Sequence, residues 1–520
     1  MSRFILISAL FVGFGQFTPT LLAESPAEVS DRLDALLEGQ WKKADVPAAA
    51  MIDDAAFCRR VGLALAGRTP AALPAREFLD RRDANKRIKL VESLLKSDEF
   101  ADHWGRVLTQ GLTAKRPIRH EKYDGRILHE YLRDSLAANK SYKQIVTELI
   151  CGEGMRDRSG PANFLLRYEA KPADLAGAVA KRFLGVSLQC AQCHDHPFTT
   201  WKKDDFWGVA AFFGRLKMME QSDGDDGEYF TAVLEARRGD LLLPDPKAKP
   251  DDKGKTAKKK ILPRLPGAKE TTVMDNRRQV LADWITAKDN PYFARHAVNL
   301  VWSQLFGAGL LRSLDNLEKA DAQRLAVLDL LAKDFTANGH DLKRLLRVLV
   351  LSKVFQRAAA GAPKEEVRHH QLEQFARFGV RPLSVDQLYQ SIAQATGHQA
   401  DEEEPPADKA EEAEDDGYSD KPVELLGERA LTVQRSLALM NSEFVHQAVK
   451  VGAKAANTAH GPKVGPEHIE WLFLATLARR PTADESAAML KLAKDDQKKG
   501  RGLEDVLWVL LNSAEFTTNH

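Results

Sequence analysis

The stretch from Gly185 to Phe213, GVSLQCAQCHDHPFTTWKKDDFWGVAAFF, constrains this chain more than any other. Cys190, Cys193 and His194 stand in it in the order Cys-x-x-Cys-His. Two thiols at that spacing can each add to one vinyl group of a haem, and the adjacent imidazole can serve the iron as its proximal ligand. The chain has only 4 Cys and 14 His in 520 residues, so composition alone does not generate the pattern. Two other readings use the same residues. Cys190, Cys193, His194 and His196 are four metal donors in a short span, a candidate zinc or iron site, although structural zinc sites usually draw two pairs from separate segments. The third reading is structural, a Cys190–Cys193 disulfide or two unpaired thiols pinning a turn.

The flanks are helical. Pro172 suits a first turn, and Leu175, Val179 and Phe183 then fall on one face, which puts Cys190 at or just past a helix end. Pro197 stops further winding, and Asp204 is the expected cap of the next helix. Trp201, Phe206, Trp207, Phe212 and Phe213 follow closely, either as walls for a haem edge or as plain core. A distal iron ligand is open. His196 is too near His194 to reach the opposite face easily, whereas Met218 and Met219 lie at a workable separation.

The N-terminus reads as a secretory signal over residues 1–23. Arg3 supplies the positive end, and Phe4 to Gly15 is apolar but too short to span a bilayer. Leu21-Leu22-Ala23 is the expected cleavage site, with a retained anchor as the other reading. Export permits disulfides and also suits haem attachment, so it does not separate the readings of the motif. The expected location is the periplasm, the cell surface or the medium, with no transmembrane segment after cleavage. Lys plus Arg number 75 against 74 Asp plus Glu, so no basic field is present to hold nucleic acid.

Apolar periodicity predicts helices through most of the rest. Asp53-Asp54 should cap a helix through Phe57, Val61 and Leu65. His103-Trp104 should open another, and helices are expected over 125–138, 142–149, 277–285, 294–306, 322–338, 342–355 and 503–516. Tyr229 to Leu234 and Gly239 to Leu243 read as short strands, with Lys247 to Lys260 as a charged loop. Gln399 to Pro422 is acidic and nearly free of apolar residues, so disorder is expected there. No Gly-x-Ser-x-Gly, phosphate-binding loop or His-Glu-x-x-His occurs. His129-Glu130 and His369-His370 are expected at the surface.

A short pattern recurs. Leu94-Leu-Lys-Ser97-Asp-Glu-Phe100 returns as Leu349-Val-Leu-Ser352-Lys-Val-Phe355 and as Leu510-Leu-Asn-Ser513-Ala-Glu-Phe516. Each copy reads as a helix end where Ser stops the helix and Phe folds back on the core, either as a duplicated unit or as convergent helix-end chemistry.

These segments together resemble a known pairing. PANFLLRYEAKPADLAGAVAKRFLGVSLQCAQCHDHPF, at Pro161 to Phe198, is similar to the planctomycete-type cytochrome-c-like domain (PSCyt type), as are IDDAAFCRRVGLALAGRTPA and DEFADHWGRVL. RRQVLADWITAKDNPYFARHAVNLVWSQLFGAGLL, RPLSVDQL, SLALMNSEFV and DVLWVLLNSAEFTTNH resemble the planctomycete surface domain (PSD type) fused behind it. The resemblance covers nearly the whole chain after the signal and carries no established activity. Leu300 stands where an Arg is usual, and Asp315-Asn316-Leu317 replaces a more acidic run.

The expectation is a mainly α protein of two helical domains, 24–217 and 269–520, with a small β-hairpin element and charged linker over 218–268 between them. The leading function is an exported c-type cytochrome-like protein with haem c held by Cys190, Cys193 and His194, working in electron transfer or a haem-dependent step beside a redox partner or envelope protein. The alternatives are a non-redox surface scaffold with a structural motif, and a metal-dependent envelope hydrolase. No catalytic residue is identified.

Overall fold

Helix boundaries follow from side chains that satisfy the free N–H groups of first turns. The computed structural model describes residues 24–113, 119–120, 122–197, 199–222, 229–244, 257–268, 275–361, 364–398, 440, 442–495 and 501–520. The expected signal segment and the acidic tract at 399–422 lie outside the described residues. Helix α1 (Pro26–Lys43) opens with a reciprocal cap, in which Ser25 Oγ accepts the Glu28 N–H and the Glu28 carboxylate accepts the Ser25 N–H. Helix α2 (Asp54–Leu65) is capped by Asp53, as expected, through a 2.8 Å bond from the Ala56 N–H. Then come α3 (Ala72–Asp80), α4 (Lys86–Leu95), α5 (Asp98–Thr113), α6 (Gly125–Ala137), α7 (Tyr142–Cys151), α8 (Gly160–Leu166) and α9 (Pro172–Val179). His103-Trp104 does not open a helix but sits inside α5. Ser97 accepts the Phe100 N–H, and Asp98 and Glu99 favour the positive end of the helix, so winding starts earlier than expected.

After the Cys190 segment come α10 (Lys203–Ala210), α11 (Arg277–Ile285), α12 (Phe293–Phe306), α13 (Ala322–Ala337), α14 (Leu342–Leu351), α15 (Glu365–Glu373) and α16 (Val385–Thr396), then further helices over Glu443–His460, Pro466–Leu477, Ala483–Asp495 and Gly502–Leu511. The expected helix over 503–516 is broken at Ser513, with a separate turn over Ala514–Thr517. The expected helix over 342–355 likewise ends at Leu351. Among the described residues, no helix is long and apolar enough to cross a membrane.

The strands form small antiparallel sheets. Strands β1 (Arg119–His120) and β2 (Tyr123–Asp124) pair with each other. Strand β3 (Gly154–Met155) and β4 (Leu216–Ser222) both pair with β5 (Tyr229–Glu235), so the β element carries a third strand from the preceding helical segment. The expected loop over 247–260 ends in a strand, since β7 (Lys258–Ile261) pairs with β6 (Leu241–Pro244) and leaves Lys258, Lys259 and Lys260 in solvent. Finally, β8 (Arg381–Pro382) pairs with β9 (Thr518–Asn519).

One continuous apolar core runs from Val29 to Phe378, so it includes α9, α10, α11 and α12 together. A second gathers residues from Leu383 to Phe516 around Leu63 of α2. Arg278, buried in α11, donates to the carbonyls of Ile150 and Gly152 and pairs with Glu153 and Glu235, which fastens α11 to the earlier part of the chain.

The three recurring helix ends share one geometry. Phe100, Phe355 and Phe516 are each 0% exposed, so the expected burial is observed at all three. Ser97, Ser352 and Ser513 each donate their hydroxyl to the carbonyl three residues back, at 2.9, 2.6 and 2.7 Å. At two of the ends the same hydroxyl accepts the Phe N–H. A cation lies near each ring: Lys343 by Phe100, Arg60 by Phe355 and Arg59 by Phe516.

Candidate functional site

Helix α9 continues as a wider π-type turn over Ala180–Leu184 and stops at Gly185, whose φ of 69° is left-handed. A short 3-10 helix, Leu188–Ala191, then carries Cys190, which donates its N–H to the Ser187 carbonyl at 3.2 Å. The thiol pair therefore lies just past a helix end, as the periodicity predicts. Cys190 is half-buried, while Cys193 and His194 are exposed. No disulfide joins Cys190 to Cys193, so the disulfide form of the structural reading is not what the structure holds.

His194 Nδ1 lies 2.8 Å from the Asp195 carbonyl oxygen. A carbonyl only accepts, so in the neutral ring this contact assigns the proton to Nδ1 and leaves the lone pair on Nε2. Metal-bound imidazoles commonly hold their second nitrogen in this way. The donor set, two thiols on one turn with no disulfide between them and an exposed imidazole with its tautomer fixed, fits a covalently attached haem. It fits a tetrahedral ion less well. Among the described residues no three of His, Cys, Asp and Glu come together as a metal-holding group.

The motif is fastened to α10. Trp207 Nε1–H donates to the Gln192 carbonyl at 3.0 Å, and the Lys203 N–H donates to Asp195 at 2.9 Å. Asp204 does not cap α10. The capping position is Lys202, and Asp205 accepts its N–H because the third helical position has the reach. Phe206, Phe212 and Phe213 are fully buried in the core and Trp201 nearly so, so these four aromatics are spent on packing. Met218 and Met219 are adjacent on β4, which sends their side chains to opposite faces. Met218 packs on the core, and Met219 is 52% exposed.

The second half of the chain reaches this turn at three residues that sequence reasoning did not single out as site residues. Asp315 accepts both the N–H and the hydroxyl of Ser187, at 2.5 and 2.9 Å. His296 Nε2 lies 3.0 Å from the Arg182 carbonyl, and Nδ1 of the same ring would clash with any side chain at position 185. Tyr292 sets its ring 5.8 Å from that of Trp201, whose carbonyl accepts the His196 N–H at 2.9 Å. Burial first, and the Asp315 carboxylate second, hold the Tyr292 hydroxyl above its ordinary value. The signals available in sequence were slight: a glycine after an apolar helix and a lone acidic residue in a run already noted as unusual.

Two family models match the chain, one after the other. Residues 32–218 match PSCyt2, described as a protein of unknown function (DUF1549). Residues 277–429 match PSD1, also described as a protein of unknown function (DUF1553). The chain is a PSCyt2–PSD1 fusion. No curated protein and no solved structure matches it. The Cys-x-x-Cys-His turn thus belongs to the PSCyt2 segment, and Tyr292, His296 and Asp315 to the PSD1 segment. The expected surface position holds for His369 and His370. It does not hold for His129, which is half-buried and donates to the Asp102 carbonyl, because α6 lies directly against α5.

Proposed function

We propose that this PSCyt2–PSD1 protein is an exported c-type cytochrome-like protein, with haem c attached through Cys190 and Cys193 and with His194 Nε2 as the proximal donor. One observation carries the reading. The His194 ring is held by the Asp195 carbonyl so that Nε2 keeps its lone pair, in an accessible turn where no disulfide ties Cys190 to Cys193. When bound, the haem would supply one-electron chemistry. The chain's own residues would hold the attachment turn against Trp207 and keep the ring nitrogen oriented. The task is electron transfer or a haem-dependent step at the cell envelope, beside a redox partner or envelope protein.

The test is coexpression with a c-type maturation system. One haem should survive acid–acetone extraction, since thioethers do not dissociate as axial bonds do. Cys190→Ala or Cys193→Ala should leave at most a single thioether with a shifted haemochrome spectrum, and His194→Ala should lose the proximal donor. A folded, exported, colourless protein under excess haem and maturation factors overturns the reading and favours a non-redox scaffold. The exposure of Cys193 and His194 is equally compatible with that alternative, which predicts free thiols and no visible absorption.

A further inference from the structure

The Cys190 turn is gripped on both sides by the PSD1 segment, from the start of α12 and from the loop that follows that helix. Upstream, His296 donates to the Arg182 carbonyl, one of the free carbonyls left where the helix stops. Its ring occupies the space that any side chain at 185 would need, and Leu314 closes in at 3.1 Å from the same point. Two residues on, Asp315 takes both donors of Ser187, and the Ser187 carbonyl in turn takes the Cys190 N–H. Asp315 is itself fixed, since Ser313 donates its hydroxyl to the carboxylate at 2.8 Å and accepts the Asp315 N–H at 3.1 Å. Downstream, Tyr292 packs on Trp201, whose carbonyl holds the His196 N–H. Tyr292 and His296 are one helical turn apart, joined by a 2.7 Å backbone bond at the start of α12.

We infer that Tyr292, His296 and Asp315 are positioning residues for the Cys190–His194 turn, so that the PSD1 segment sets the geometry of a site whose reacting atoms lie in the PSCyt2 segment. The role as a haem site rests on the reading proposed above, whereas the positioning itself does not. The physical case is that a turn holding two thiols and an imidazole in fixed relation needs both ends locked by groups outside it. Helix α10 holds the turn at Gln192 and Asp195, while Cys193 and His194 face solvent. The carboxylate with two bonds to one residue supplies the directional element, and the ring contact supplies the second anchor.

The experiment is amide hydrogen exchange on the full chain without haem, read beside haem yield in the maturation system. Asp315→Asn should raise exchange at the Cys190 amide at least tenfold and lower haem attachment, while amides of α5 keep their protection. Asp315→Glu should restore part of both. Tyr292→Ala should do the same at the His196 amide. Ser187→Ala, which removes a single bond at the surface of the turn, gives a milder version that retains the fold. Unchanged exchange at Cys190 in both Asp315→Asn and Ser187→Ala overturns the inference. So does an increase spread equally over α5 and α12, which marks general destabilisation. A wild-type chain that never takes haem, with the exchange effects intact, sinks the haem reading and leaves the positioning standing.

Discussion

Arg60 donates to the Phe355 carbonyl at 2.5 Å while its guanidinium lies 3.8 Å from the centre of the Phe378 ring. It also donates to the carbonyls of Arg357 and His520. Its neighbour Arg59 does the same for Thr476, Glu515, Phe516 and Thr518. Two adjacent buried cations on α2 thus bind main-chain oxygens in both apolar cores. Burial pushes Arg60 down to about 9 and Arg59 to about 10, so both stay charged at neutral pH.

Arg60→Ala leaves three carbonyls without their donor, and should cost about 3 kcal/mol or more. Arg60→Lys should recover only part, because one ammonium cannot reproduce the planar fork. Urea unfolding at pH 7 checks both, through a lower midpoint at an unchanged slope.

Phe100, Phe355 and Phe516 each close a helix end from a fully buried position. Substitution of any one by Ala should cost on the order of 3 kcal/mol, from lost burial and the cavity left behind. Thermal unfolding of the three single variants is the measurement. A loss under 1 kcal/mol at one of them, by the same scale, would separate that end from the other two.

The pH dependence has a definite sign. Burial pushes His340 and His296 down to about 4, with nearby lysines and arginines adding to it. Between the ordinary histidine value of 6.5 and about 4, the unfolded chain binds protons that the folded chain refuses. Stability is therefore highest above that window and falls as pH drops through it. His340→Gln should flatten the melting temperature between pH 6.5 and 4 relative to the parent.

The thiols should react in order. Burial pushes Cys58 up to about 12 and Cys151 to about 11, and Cys58 is 1% exposed. Brief alkylation of the native chain without haem at pH 8 should label Cys193 first and leave Cys58 untouched until denaturant is added. Peptide mass spectrometry reads this directly.

Gly185→Ala should combine a left-handed strain of about 1–2 kcal/mol with a clash against His296. Its expected signature is a lowered melting temperature together with reduced haem attachment.

Much of the helical text was legible because apolar spacing and caps are local. Asp53 caps where it should, and the α9 face of Leu175, Val179 and Phe183 is buried as spaced. The start of α5 was misplaced because Ser97 and the acids after it outweigh the aromatic pair further on. The motif at Cys190, Cys193 and His194 could be found by its order alone. What holds it could not. Ser187 and Asp315 are 128 residues apart, and nothing local in either segment announces a bond that only the packing of α12 on the π-type turn creates.

The twin arginines of α2 also have a bearing on synthesis. Their oxygen partners lie 295 to 460 residues further along the chain. At about 5–20 residues per second, the last of those oxygens appears tens of seconds after α2 has left the ribosome. Through that interval the two guanidiniums keep their water, and the helix that carries them has no dry place to settle. The N-terminal half of this protein is therefore made long before it can finish folding. The segment that completes it, from Thr476 to His520, is translated only after both apolar cores have begun to form.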